Sequence, residues 1–210
     1  MDRDKLLLYA ITDRALIGSR STENAVEAAL RGGAQIIQLR EKGMPHDALV
    51  TEAKRVLAVC RRYGALLIVN DDYKAALEAG ADGVHVGIED APVAEIREIA
   101  PEGFIIGATA KTVSQAQLAE RAGADYLGIG ALFPSPTKPG AIPVSPTAFR
   151  EIAGSVSIPS VCIGGISAEN IRTLRGIGAA GAALVSAVFA GEDITADTRR
   201  MLTLCREVFR

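Results

Sequence analysis

Gly80-Ala81-Asp82-Gly83-Val84-His85-Val86-Gly87-Ile88-Glu89-Asp90 joins a helix end, a short strand and a polar loop. Its first glycine suits a left-handed helix terminus, because no Cβ opposes a positive φ. A short valine-containing run, residues 83–86, then reads as a strand, and a polar tail ends at Asp90. The opening phrase recurs as Gly33-Ala34-Gln35, Gly123-Ala124-Asp125 and Gly178-Ala179-Ala180. Successive glycines lie 47, 43 and 55 residues apart, and each interval holds two strand–helix units. Four such intervals make a barrel.

Working outward, apolar or β-branched runs at 6–12, 35–39, 65–69, 83–86, 104–106, 126–129, 160–163 and 182–185 alternate with helical patterns. That alternation predicts parallel strands with crossover helices: an α/β chain folded as a (β/α)8 TIM barrel, one domain over residues 1–210. An open dinucleotide-binding sheet would want a Gly-rich turn after its first strand, and Ile11-Thr12-Asp13-Arg14 is not one. Aromatics are only 4% of the chain, with 21 glycines and no Trp, which suits α/β packing better than a β-sandwich. The one long loop, residues 134–146, carries five prolines and is expected over the barrel mouth.

A formal net charge of −2 excludes a broad field for nucleic acid or a membrane surface. No apolar stretch of about 20 residues spans a bilayer and no signal pattern opens the chain, so a soluble cytoplasmic protein is expected. Cys60, Cys162 and Cys205 are scattered and odd in number, and read as reduced packing residues. His46 reads as a solvated first-turn residue, His85 as a satisfied histidine inside a strand.

In a barrel the loops after the strands build the site. Those positions carry Gln38-Leu39-Arg40-Glu41-Lys42, Asn70-Asp71-Asp72, Gly87 through Asp90, Thr109, Phe133 through Lys138, Gly164-Gly165-Ile166-Ser167 and Ser186. Arg40, Lys42 and Lys138 can clamp a polyphosphate, whose spread negative charge demands several donors. Asp71 and Asp90 supply hard oxygens of the kind Mg²⁺ uses when it keeps waters and bridges to phosphate. Each Asp alone could equally cap a helix starting at Tyr73 or Pro92. Gly164-Gly165, ahead of a helix expected near Ala168, reads either as a phosphate cradle or as a tight turn. Ser186 either donates to that phosphate or opens a helix.

Taken together, Tyr9-Ala10-Ile11-Thr12-Asp13, the QLREK phrase at 38–42, Asn70-Asp71, Gly83 through Asp90, Gly128-Ile129-Gly130, Phe133 through Lys138 and Ile163-Gly164-Gly165-Ile166 resemble the thiamine-phosphate synthase family. The resemblance spans nearly the whole chain. It implies condensation of an aminomethylpyrimidine diphosphate with a hydroxyethylthiazole phosphate, or its carboxylated form, giving thiamine phosphate and diphosphate. It further implies that Gln38, Leu39, Arg40, Glu41, Lys42, Asn70, Thr109 and Lys138 hold the pyrimidine diphosphate. Arg40, Lys42, Thr109 and Lys138 would serve catalysis, and Asp71 and Asp90 would hold Mg²⁺. Ser135, Pro136, Thr137, Gly165, Val185 and Ser186 would hold the thiazole phosphate.

Four positions depart from the family pattern: Ser135 for a usual Thr, Thr109 for a usual Ser, Ile88 for a common Gln, and Lys111 for a frequent His. The expected partners are small phosphorylated molecules, neither nucleic acid nor membrane, and a homo-oligomer is compatible with the reading. Two alternatives come from other classes: a thiazole tautomerase-like isomerase, and a non-catalytic phosphate-ligand-binding barrel. Retention of Asp71, Asp90 and Lys138 weighs against both, since neither needs a diphosphate leaving group.

Overall fold

A computed structural model of the chain describes residues 1–135 and 143–210. Eight parallel strands close into a barrel in chain order: β1 Leu8–Ile11, β2 Ile36–Leu39, β3 Leu66–Asn70, β4 Gly83–Val86, β5 Ile105–Ala110, β6 Tyr126–Gly130, β7 Ser160–Ile163 and β8 Gly181–Leu184. The last strand pairs with the first, Leu8 opposite Ala182 and Ala10 opposite Leu184, so no sheet edge is left open. Outside lie α1 Arg14–Ile17, α2 Thr22–Gly32, α3 His46–Arg62, α4 Tyr73–Ala79, α5 Val93–Ile99, α6 Val113–Arg121, α7 Pro146–Gly154, α8 Ser186–Phe189 and α9 Ile194–Phe209.

The recurring glycines do what the repeat predicts. Gly33, Gly80, Gly123 and Gly178 all have left-handed backbone, with φ of 104°, 70°, 95° and 88°. An L-residue with a Cβ would be strained at each. In two of the four repeats the following aspartate clasps the floor of the barrel. Asp82 accepts the Leu67 N–H at 2.8 Å and pairs with Arg61 of α3 at 2.8 Å. Asp125 accepts the Ile106 N–H at 2.8 Å and pairs with Arg97 of α5 at 2.6 Å. Each carboxylate therefore pins one strand and one helix.

Side chains alternate between two cores, as strand geometry requires. Leu8, Ala10, Ile37, Leu39, Val84 and Val86 face outward into the layer beneath the helices. Tyr9, Ile11, Ile36, Ile68, Tyr126 and Val161 face inward and fill the barrel itself. The three cysteines are buried and free, and burial pushes the Cys60 and Cys205 thiols up to about 12. They are packing residues, as expected. Among the described residues no helix is long and apolar enough to cross a membrane.

Three expectations need correction. Strand five does not stop at 106 but runs to Ala110, paired on both sides, so Thr109 lies within the strand rather than after it. Gln38 and Leu39 likewise belong to β2 itself. No α-helix starts near Ala168; that segment holds only a short 3₁₀ turn, Ile171–Leu174. Its cause is local, because the Asn170 side chain donates to Gly165 O at 2.8 Å and accepts from Ser167 N at 2.9 Å. Such side-chain bonds offer the backbone an alternative to helix. Of the long proline-rich loop, residues 136–142 lie outside the described residues.

Candidate active site

The C-terminal ends of the strands gather the polar residues. After β1, Thr12 accepts the Arg40 N–H at 2.9 Å, and Asp13 receives the Arg40 guanidinium at 3.3 Å while capping α1. This fixes Arg40 by backbone and side chain together. Arg40 stands close enough to Asp71 for its charge to favour the ionised carboxylate there. Lys42 is exposed in the turn that follows β2.

Asp71 and Asp90 come together, and neither caps a helix. The α4 cap is Asp72, which accepts the Ala75 N–H at 2.8 Å, and α5 follows Pro92 without a side-chain cap. Asp71 adopts left-handed backbone, φ 64°, the only described non-glycine to do so, and its N–H donates to His85 O at 2.8 Å. Asp tolerates this conformation better than most residues, yet it remains uncommon and clusters at functional sites. Asp90 folds back to accept the Gly87 N–H at 2.6 Å. Open to the rim on one side and hemmed in by protein on the other, Asp71 has its pKa raised from 3.8 to about 6. Burial is the largest cause, followed by the hydrogen bond and the charge of Asp90; Asn70 and Arg40 oppose the rise.

Two carboxylates held against each other are what a hard divalent cation relieves. Among the described residues no group of three or more His, Cys, Asp or Glu converges, so any such cation must complete its shell with waters and ligand oxygens. Mg²⁺ does this habitually when it bridges to phosphate. The donor set therefore fits Mg²⁺, with Asp71 and Asp90 as its protein oxygens.

Two members of the QLREK phrase are wholly or partly buried in different surroundings. The Leu39 side chain is fully buried in the outer core, so only its backbone can face a ligand. The Glu41 carboxylate lies among Glu52, Arg14, Asp13 and Arg40, and its pKa is raised chiefly by burial. Its Oε1 is the one buried side-chain polar atom without a hydrogen-bond partner among the described residues.

Across the barrel, Gly164 and Gly165 follow β7 with φ of 96° and 61°. A Cβ on Gly165 would run into the Phe133 and Pro134 carbonyls, so this glycine is required by the neighbouring loop as well as by its own φ. Ser186 opens the short α8 directly after β8, half-buried beside Val185, which packs toward the interior core. Ser135 is half-buried at the edge of the described residues, and Pro136, Thr137 and Lys138 lie outside them.

Sequence reasoning missed the polar chain beneath the rim. Gln38 Nε2 donates to the Tyr9 hydroxyl at 2.7 Å, which meets the Tyr126 hydroxyl at 2.8 Å. Tyr126 meets His85 Nδ1 at 3.1 Å, and His85 Nε2 meets Thr109 Oγ1 at 3.1 Å. Gly107 and Gly128 leave room for it, since a Cβ at Gly107 would collide with the Tyr126 ring and His85 Nδ1. One signal was available: inward parity in β1 and β6 marks Tyr9 and Tyr126, and a buried tyrosine hydroxyl needs a partner.

Comparison with known proteins then gives a family. The model of a family described as thiamine monophosphate synthase matches residues 8–188. A thiamine-phosphate synthase of Caldivirga maquilingensis is 45% identical over 89% of this chain and 90% of its own. One from Roseiflexus castenholzii is 44% identical over 93% and 86%. A solved thiamine phosphate pyrophosphorylase from Pyrococcus furiosus superposes with a TM-score of 0.91 at 40% identity, covering 99% of both chains.

Proposed function

The chain belongs to the thiamine monophosphate synthase family, and from that premise we propose that it condenses an aminomethylpyrimidine diphosphate with a hydroxyethylthiazole phosphate, releasing diphosphate. The thiazole nitrogen supplies the electron pair of the new C–N bond to the pyrimidine methylene. The methylene C–O bond breaks, and its electron pair leaves with the diphosphate.

The observation that carries this reading is the contact between Asp71 and Asp90, beside the anchored guanidinium of Arg40. That arrangement suits a polyanionic leaving group brought in with Mg²⁺, whose chemistry is to neutralise the charge gathering on the departing oxygens. Arg40 and Lys42 orient the diphosphate, joined by Lys138 from the loop after β6. Asn70 orients the Asp71 carboxylate by its hydrogen bond. Gln38 and Thr109 lie on the inward face, where the pyrimidine end enters. Gly165, Val185 and Ser186 cradle the thiazole phosphate, together with Ser135, Pro136 and Thr137; loops seven and eight are the habitual phosphate position of this fold. We read residues 1–210 as one such domain working in the cytoplasm on small phosphorylated molecules.

The experiment supplies both substrates and Mg²⁺ to the purified chain and follows thiamine phosphate and diphosphate by chromatography. Equal amounts of the two products are expected, with loss of turnover when Mg²⁺ is chelated. Absence of both products, or their appearance at full rate in chelator, overturns the reading.

A further inference from the structure

The chain of side chains under the rim joins two ends of the proposed pyrimidine site through residues to which no role in it has been given. It runs from Gln38 on β2 through Tyr9 on β1, Tyr126 on β6 and His85 on β4 to Thr109 on β5. Its middle is dry: Tyr9 and Tyr126 are 1% and 0% exposed. Its ends differ, since Gln38 is buried while Thr109 is only half-buried and opens toward the site.

We propose that Tyr9, Tyr126 and His85 are positioning residues that tie the amide orientation of Gln38 to the hydroxyl proton of Thr109, and so select a pyrimidine bearing an N–H donor over one bearing a carbonyl. In a buried chain each O–H needs an acceptor, so the direction of one hydrogen bond sets the next. With Gln38 Nε2 donating to Tyr9, the Tyr9 proton passes to the Tyr126 oxygen and the Tyr126 proton to His85 Nδ1. His85 then carries its proton on Nε2 and donates to Thr109 Oγ1, leaving the Thr109 proton for a ligand. Gln38 leaves its carbonyl oxygen for the same ligand.

Reversing any one link reverses all of them. Thr109 then donates downward and offers only a lone pair, while Gln38 turns its amide and offers N–H. The two ends are therefore set together. A diphosphate oxygen can only accept, so it holds Thr109 in the donating state and Gln38 in the accepting state. A ligand with an amino group satisfies that acceptor; one with a carbonyl faces it lone pair to lone pair. Sites built this way reject the mismatched analogue strongly, because a buried polar group is left unpaired.

This inference rests on the proposed condensation, and its test separates the two. The ratio of kcat/KM for the amino pyrimidine diphosphate and its oxo analogue is measured in the wild type, Tyr9→Phe and Tyr126→Phe. The wild type is expected to prefer the amino substrate by about 100-fold or more. Either phenylalanine cuts the chain and is expected to lower that preference about tenfold or more. If the variants slow both substrates alike and keep the ratio, the tyrosines only fill space and the proposal fails. A wild type that uses both substrates equally also overturns it. No product from the amino substrate overturns the condensation reading instead.

A spectroscopic arm needs no variant of the chain. With only two histidines, His46 and His85, the imidazole ¹⁵N spectrum is readily assigned. In the presence of Mg²⁺ and inorganic diphosphate, His85 is expected as the Nε2–H tautomer with Nδ1 accepting. The Nδ1–H tautomer under those conditions refutes the proton order, whatever the fate of the condensation.

Discussion

The two rims of this barrel each hold a pair of aspartates, and the pairs are treated in opposite ways. At the floor, Asp82 and Asp125 each receive a strand N–H and an arginine, at distances of 2.6–2.8 Å. At the mouth, Asp71 and Asp90 face each other, and the arginine nearest them is already taken by Asp13. The floor carboxylates are satisfied by the fold itself. Those at the mouth press like charge together, and Asp71 does so in a backbone conformation that the sequence must tolerate rather than prefer. A like-charge contact is costly to keep, and on the proposed reading the contrast separates holding the barrel shut from holding a cation.

Exchanging the consequences of the two pairs is the sharpest way to break the comparison. Asp71→Ala and Asp90→Ala are expected to lower turnover by about 100- to 1000-fold, the scale of losing a preorganised electrostatic partner. Thermal stability without Mg²⁺ should hold or rise in Asp90→Ala, whereas in Asp71→Ala the strain of Ala at φ 64° offsets the relief of charge. Steady-state kinetics over a Mg²⁺ series, with a melt beside each variant, checks both halves. Wild-type rates with unchanged Mg²⁺ dependence would remove the metal assignment.

The floor should answer the other way. Asp125→Ala leaves the Ile106 N–H without its acceptor and takes the carboxylate from Arg97, which keeps the Gly123 and Phe104 carbonyls, at a cost of about 1–3 kcal/mol. Denaturant unfolding should register that loss while kcat and both KM values at 25 °C stay near wild type. Asp82→Ala should cost less, because Arg61 is the more exposed arginine, 54% against 33% for Arg97. A large kinetic defect in either floor variant would erase the distinction between the rims.

What could be read from the chain divides along a similar line. The glycines that end helices and the aspartates beside them act within one repeat, so their spacing was enough to give the barrel. Strand five was cut short because Gly107 and Ala108 are poor strand formers; pairing with β4 and β6 on both sides carries it on to Ala110. The inward set of β2 was readable in principle, since Gln38 and Leu39 must point to opposite faces. The Tyr9–Tyr126 contact was not, for it joins residues 117 positions apart that meet only when the barrel closes. The helix expected near Ala168 failed because Asn170 binds the turn before it, a choice that composition does not reveal.

The smallest effect sharpens the comparison most directly, because it concerns the cost of the charge at the mouth. Asp71 has a raised pKa in the folded chain, about 6 against 3.8. Below about pH 4 the group is protonated whether folded or not, and it imposes no penalty. Between pH 4 and 6 the unfolded chain releases this proton while the folded chain holds it, so the fold loses stability as pH rises. Above pH 6 the full penalty remains. Asp71→Asn removes the titration while keeping the shape of the side chain. Its melting temperature, compared with wild type in chelator, is expected to match near pH 4, to pull ahead through pH 6 and to stay ahead by a few degrees up to pH 8. The gain is modest because Asp71 is exposed to water, which screens it. Excess Mg²⁺ should then close the gap by stabilising the wild type in preference to the variant. A gap that is constant with pH, or of opposite sign, would mean that the mouth carries no stored charge and that its aspartates are as settled as those of the floor.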